Sequence, residues 1–153
     1  MVEIPHVLVG AAIAVKVGNP ALALPLAFAS HFVLDLLPHT NPSIYARIQA
    51  GQAISGITRK IIFTDSLLAL IIGSFIAATF LPDLGKSVVI LLGAFLAVLP
   101  DIVEIPYYFM KSRHPLMVKY VEISRSLQND VPLLPGTLTQ IAVSLAALWW
   151  IFA

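Results

Sequence analysis

The sequence predicts an all-α integral membrane protein: a bundle of about five transmembrane helices with one or two amphipathic helices at the membrane surface. Three observations carry this. Of 153 residues, 59% are hydrophobic and 11% charged, where soluble domains carry about 25% charged residues. The apolar residues fall in long runs, several close to the ~20 residues that a crossing helix needs. Pro, Gly and Asn punctuate those runs, without the strict alternation of half-buried strands. The length suits one domain, 1–153. The first apolar run lacks a basic start, carries Glu3 and His6, and passes into a second run, so no cleavable signal peptide is expected.

The first segment, 4–17, is short for a crossing helix and is expected to be tilted or partly buried. Gly18-Asn19-Pro20 ends it, and Pro20 suits the first turn of the next helix. The second segment, 20–37, stops where Pro38 disfavours further helix. The third, 61–81, holds one charge, Asp65, and ends at Pro82-Asp83-Leu84-Gly85. The fourth, 88–110, contains Pro100 and Pro106. An interior proline kinks a helix and frees a carbonyl, which protein or a polar cavity must then satisfy. The fifth, 133–153, carries no charge. Between them, 43–54 and 114–128 read as interfacial helices, with Leu116, Met117, Tyr120 and Val121 opposed to Lys119, Glu122 and Arg125. Their expected role is to cap the bundle.

If all five segments cross, Lys16 and Lys86 fall on one side and the other seven basic residues on the other. The richer side is expected to be cytoplasmic, which puts the protein in the inner (cytoplasmic) membrane with its amino terminus inside. The net charge of +1, with no concentrated basic face, excludes a nucleic-acid partner. The bilayer is the expected partner, and a lipid or membrane-borne molecule the expected substrate. Oligomeric state is not readable.

The same topology brings the ionisable residues to one depth. His6 lies near the start of segment one, and His31, Asp35 and His39 at the end of segment two. Asp65 is about one turn into segment three; Asp101 and Glu104 are toward the end of segment four. The opposite half of the bundle has none. Charged groups in hydrocarbon cost at least ~2.5–3.5 kcal/mol, so they usually face a protein interior and work there. His31 and Asp35, four apart, share a helix face, as do Asp101 and Glu104, three apart. Two like charges need a cation or a proton between them. With no cysteine, a metal would have to use imidazole and carboxylate, a set that suits zinc first, with manganese or iron as alternatives. The candidate ligands are His6, His31, Asp35, Asp101 and His39; His39, beyond Pro38, is expected in a turn at the edge of the site, supporting the ligands or solvated. Glu104 and Asp65 are the candidate catalytic carboxylates, although Asp65 could instead pair with Arg59 or Lys60.

At these residues the chain resembles the superfamily of small membrane-bound proteins classed as metal-dependent hydrolases, which includes a bacterial inner-membrane type regulated by the DNA-damage response. The family's amino-terminal His followed by Gly is matched by His6 and Gly10, and its Ser-His-x-x-x-Asp element by Ser30-His31 and Asp35. Pro100-Asp101-Ile102-Val103-Glu104 is similar to its Pro-Asp-x-Asp/Glu element with one extra residue. The stretch Arg59 to Ser66 looks like its Arg-Gly-x-Thr-His-Ser element, except that Asp65 stands where the family has His. The order of the elements along the chain also differs. The resemblance implies metal binding more firmly than any reaction.

Residues and resemblance together lead to the expectation of a metal-dependent hydrolase near the cytoplasmic face, acting on a phospholipid or another membrane-borne ester or phosphate. A transporter using buried carboxylates, or a protein with a structural metal, are the competing classes. The chain contains no Gly-x-Ser-x-Gly elbow and no His-Glu-x-x-His helix.

Overall fold

A 15-residue helix, α1 (Glu3–Val17), forms the axis of the molecule, with α2 (Pro20–Asp35), α4 (Gly56–Ala78), α5 (Leu84–Tyr108) and α7 (Leu133–Phe152) packed around it. Two shorter helices, α3 (Ile44–Gln49) and α6 (Pro115–Leu127), complete an all-helical structure. The computed structural model describes all 153 residues.

Three helices, α4, α5 and α7, are long and apolar enough to cross a membrane, and α2 is a shorter apolar helix. This is a membrane protein. The expectation of about five crossing segments is met in this coarser form only. At ~1.5 Å per residue α1 is about 22 Å long, short of a ~30 Å hydrocarbon core. Val7, Leu8, Ala11, Ala12 and Ala14 are buried by its neighbours, so lipid does not set its length.

Local chemistry explains the boundaries. Gly18, at φ 71°, takes the left-handed cap that ends α1. The Asn19 side chain accepts from the Ala21 N–H, and Pro20 opens α2. α4 starts five residues before the expected 61, because Ser55 caps it by accepting from the Thr58 N–H. α5 likewise starts four residues early, with the Asp83 carboxylate accepting from the Lys86 N–H. The expected 43–54 helix is the shorter Ile44–Gln49.

Small residues set the closest approach, between α1 and α5. A Cβ on Gly10 would stand 2.5 Å from the Gly93 carbonyl oxygen and 2.6 Å from Ala97 Cβ; one on Gly93 would stand 2.8 Å from Ala14 Cβ. Close backbone approach through such residues is how helices associate in lipid, where tails are as apolar as Leu. His6, Gly10 and Ala14 fall four apart on one face of α1, as Gly93, Ala97 and Asp101 do on α5. The contact that closes the two backbones therefore carries His6 up to Asp101.

Candidate metal centre

Five of the sequence-predicted residues meet at one end of the bundle. His6, His31, Asp35 and His39 are buried to 0–1% exposure, and the Asp101 side chain retains 22%. His6 Nε2 lies 3.5 Å from Asp35 Oδ1, and His31 Nε2 lies 3.3 Å from Asp35 Oδ2 and 3.7 Å from Asp101 Oδ1. Ligand atoms of His6, His31 and Asp101 all lie within 4.8 Å of one another. The His6 and His31 rings stack at 4.2 Å between centroids.

The backbone orients the imidazoles. His31 Nδ1 is 2.8 Å from the Ala97 carbonyl and His39 Nδ1 is 2.8 Å from the Leu37 carbonyl. A carbonyl only accepts, so each Nδ1 carries a proton; His31 Nε2 then faces the Asp35 carboxylate, while His39 Nε2 accepts from the Asn41 amide. Metal-binding imidazoles are held in this way. α5 runs through Pro100 as one helix instead of breaking there, and beside it the Ala97 carbonyl accepts from His31 Nδ1 and the Pro100 carbonyl from the Tyr120 hydroxyl at 3.2 Å.

The His31 and His6 nitrogens have no such satisfaction on the site side. Both ring nitrogens of His6, His31 Nε2, Glu3 Oε2 and Glu104 Oε1 are buried without a hydrogen-bond partner. An unmade buried hydrogen bond costs about 1–3 kcal/mol, so five such atoms grouped together call for an explanation. The Met1 ammonium ion-pairs with Asp35, which shows that this carboxylate already draws a cation.

His39 departs from expectation. It is fully buried rather than solvated, and its Nε2 lies 3.9 Å from Asp35 Oδ1 and 3.8 Å from Asp130 Oδ1 while accepting from the Asn41 amide at 3.0 Å. Burial, then the nearby ammonium, holds its pKa below the ordinary imidazole value. Two chain segments clasp it. The His39 N–H donates to Asn129 O at 3.0 Å, and the Val131 N–H donates to His39 O at 2.9 Å. Gly136 at the start of α7 packs on the same loop, where a Cβ would stand 2.7 Å from the His39 carbonyl carbon. Asp130 is itself ion-paired with Arg125.

The two candidate catalytic carboxylates differ. Glu104 is buried beside Ser124 and Tyr108, with one oxygen unpartnered. Asp65 accepts from the Glu3 N–H at 2.5 Å and caps the first turn of α1, where the helix dipole favours negative charge. The alternative pairing with Arg59 is not made: Arg59 donates to the Ile54 carbonyl. Sequence reasoning missed Glu3, Asn41 and Asp130. Glu3 was detectable, because it lies three residues from His6 and shares its face. Asn41 and Asp130 reach the site through loops, and no periodicity marks them.

Comparison of the chain with family models, curated proteins and solved structures gives no match.

Proposed function

We propose that this protein is a metal-dependent hydrolase of the membrane, with a divalent cation held by His6, His31, Asp35 and Asp101 and supported by His39. The observation that carries the reading is the set of buried, unpartnered imidazole nitrogens facing two carboxylates. A cation would satisfy one nitrogen of His6 and Nε2 of His31 at once. The donor set of imidazole and carboxylate suits zinc first, then manganese or iron. The motifs at His6, Ser30-His31, Asp35 and Pro100-Asp101 make the membrane-bound metal-dependent hydrolases the family whose chemistry this chain would share.

Such a cation, when bound, lowers the pKa of a water to ~7 and polarises an ester or phosphoryl oxygen. Glu104 has an unpartnered carboxylate oxygen and lines the same cavity as Asp101. It would take the proton of an attacking water as its oxygen bonds to the phosphorus or carbonyl carbon, and would return that proton to the leaving alcohol oxygen as the ester bond breaks. Asp65 is engaged with the α1 backbone, so Glu104 is assigned the base and Asp65 a positioning role. Ion conduction would need polar groups along the whole depth. Beyond Gly10 and Gly93 the buried residues of α1 and α5 are Ala11, Ala12, Ala14, Ile90 and Ser87, with no ionisable group among them, which supports hydrolysis over transport.

Metal analysis of the protein purified in detergent tests the reading. Bound zinc, manganese or iron is expected in the wild type and absent from His31→Ala. A metal-free wild type that titrates with metal no better than His31→Ala overturns it. The proposed cytoplasmic position of the site has its own test, made simple by the absence of native cysteine. Single cysteines at Lys119 and Lys86 are expected to react with an impermeant thiol reagent from opposite sides, Lys119→Cys from the cytoplasm.

A further inference from the structure

Beside the polar cluster, and sharing Asp101 with it, lies a cleft between two of the helices long and apolar enough to cross a membrane. A cavity of about 1030 Å³ begins at Glu3, Asp101 and Glu104 and runs between α4 and α5 as far as Ser74 and Leu91. Along α4, from Arg59 to Ser74, this is about 22 Å of helix at ~1.5 Å per residue, longer than the ~15 Å of one hydrocarbon leaflet. Its lower walls are apolar side chains that remain exposed, among them Leu70 at 63%, Phe63 at 69% and Phe95 at 47%.

The water-facing approach is roofed. The segment after α2 is joined to the one after α6 by the two backbone bonds at His39 and by the Asn41 amide donating to Gln128 Oε1 at 2.6 Å. Asn41 and Gln128 both line the polar end of the cavity. Arg59 and Arg125 line it as well, Arg59 donating to the Ile54 carbonyl and Arg125 paired with Asp130 and donating to Gln128 Oε1. Guanidinium groups at the mouth match the charge and fork geometry of a phosphate, for which a neutral ester has no use. Two carboxylate oxygens in its wall, on Glu3 and Glu104, are buried without partners.

We infer that the cleft between α4 and α5 receives an acyl chain of a phosphate-bearing membrane lipid, with the phosphate end at the polar end of the cavity, where Asp101 joins it to the His/Asp cluster and Arg59 and Arg125 line it. This rests on the hydrolase reading for what happens to the lipid, while occupancy of the cleft can be measured by itself. It differs from ordinary lipid contact in placing one chain inside the protein's outline and one headgroup under the roof.

The test is photolabelling of the full chain reconstituted in phosphatidylcholine vesicles that contain phosphatidic acid with a diazirine at the end of one acyl chain. Adducts are expected within 70–74 and 91–95. Unlabelled phosphatidic acid in about tenfold excess should reduce them by about tenfold, as competition for one site by the same lipid requires. Diacylglycerol and glycerol phosphate, each lacking one half of the ligand, should compete poorly. Ser74→Trp fills the cleft and should abolish the competed labelling, while Ser74→Ala should not. Equal, uncompeted labelling of the cleft and of Leu138–Leu145 on α7 overturns the proposal, as does competition by glycerol phosphate alone. Metal content measured on the same samples separates the two readings. Competed labelling without metal defeats the hydrolase and keeps the cleft, whereas metal without competed labelling does the reverse. Unaltered metal content in Ser74→Trp shows that the variant is folded.

Discussion

At one end of α1, Glu3 and His6 bury polar atoms that find no partner; one to two turns further along, Gly10 and Ala14 bury small apolar surface against Gly93 and leave nothing unsatisfied. The same division holds across the bundle, with ionisable side chains gathered at one end and Gly and Ala packing through the middle. The apolar part fixes how near the backbones come, and that spacing decides where the ligand atoms fall. The two parts should therefore fail differently: a change among the ligands should cost affinity and leave the fold, while a change among the small residues should cost the fold and take affinity with it.

The largest effect is expected from His31→Ala. Metal affinity should fall by more than the ~10–100-fold that loss of a ligand's hydrogen-bond partner costs, with thermal unfolding of the metal-free protein little lowered. Titration calorimetry in detergent checks the first part and a melting curve the second. Gly10→Ala attacks the other region. Its Cβ meets the Gly93 backbone, which cannot move as a flexible side chain can, so a loss of about 1–3 kcal/mol is expected in reversible unfolding by denaturing detergent. If Gly10→Ala lowered affinity with stability intact, the division between packing and chemistry would be wrong.

Asp130→Asn tests the clasp between the regions. It keeps the shape but removes a charge 3.8 Å from His39 Nε2, and metal affinity should drop by about tenfold, toward the lower end expected of supporting partners. Asp65→Asn should do least. An amide oxygen can still accept from the Glu3 N–H, so about 0.5 kcal/mol or less of stability is expected to be lost, mainly from the α1 dipole, with metal stoichiometry unchanged. A loss of metal as severe as that in His31→Ala would make Asp65 a ligand instead of a cap.

What could be read from the chain followed the physics of repeating elements. His31 with Asp35 and Asp101 with Glu104 were visible because helical spacing puts each pair on one face, and the alternation of crossing segments gave them a common depth. Pro20, Pro38 and Gly18 marked boundaries that the backbone honours. The burial of His39 was not visible, because its partners Asn129, Asp130 and Val131 lie some ninety residues away and meet it through loops. Nor did composition show that the short first segment is the axis of the bundle. Hydrophobicity registers that Ala11 and Ala12 avoid water, but it does not register whether lipid or protein surrounds them. The contact of Asp65 with the Glu3 N–H was not visible for a related reason: which backbone N–H a carboxylate caps depends on a neighbour brought in by the fold.

The clasp on His39 also has a consequence for the order in which the protein is made. His6, His31, Asp35 and Asp101 have all been synthesised by residue 101, but the strip that closes over His39 spans 129–131, and Gly136 of the last helix packs against His39 and Thr40. Until that strip is synthesised the ligands stand in a nascent bundle without their roof. Synthesis of that strip, rather than of the candidate ligands, is then the event that completes the enclosure of the site.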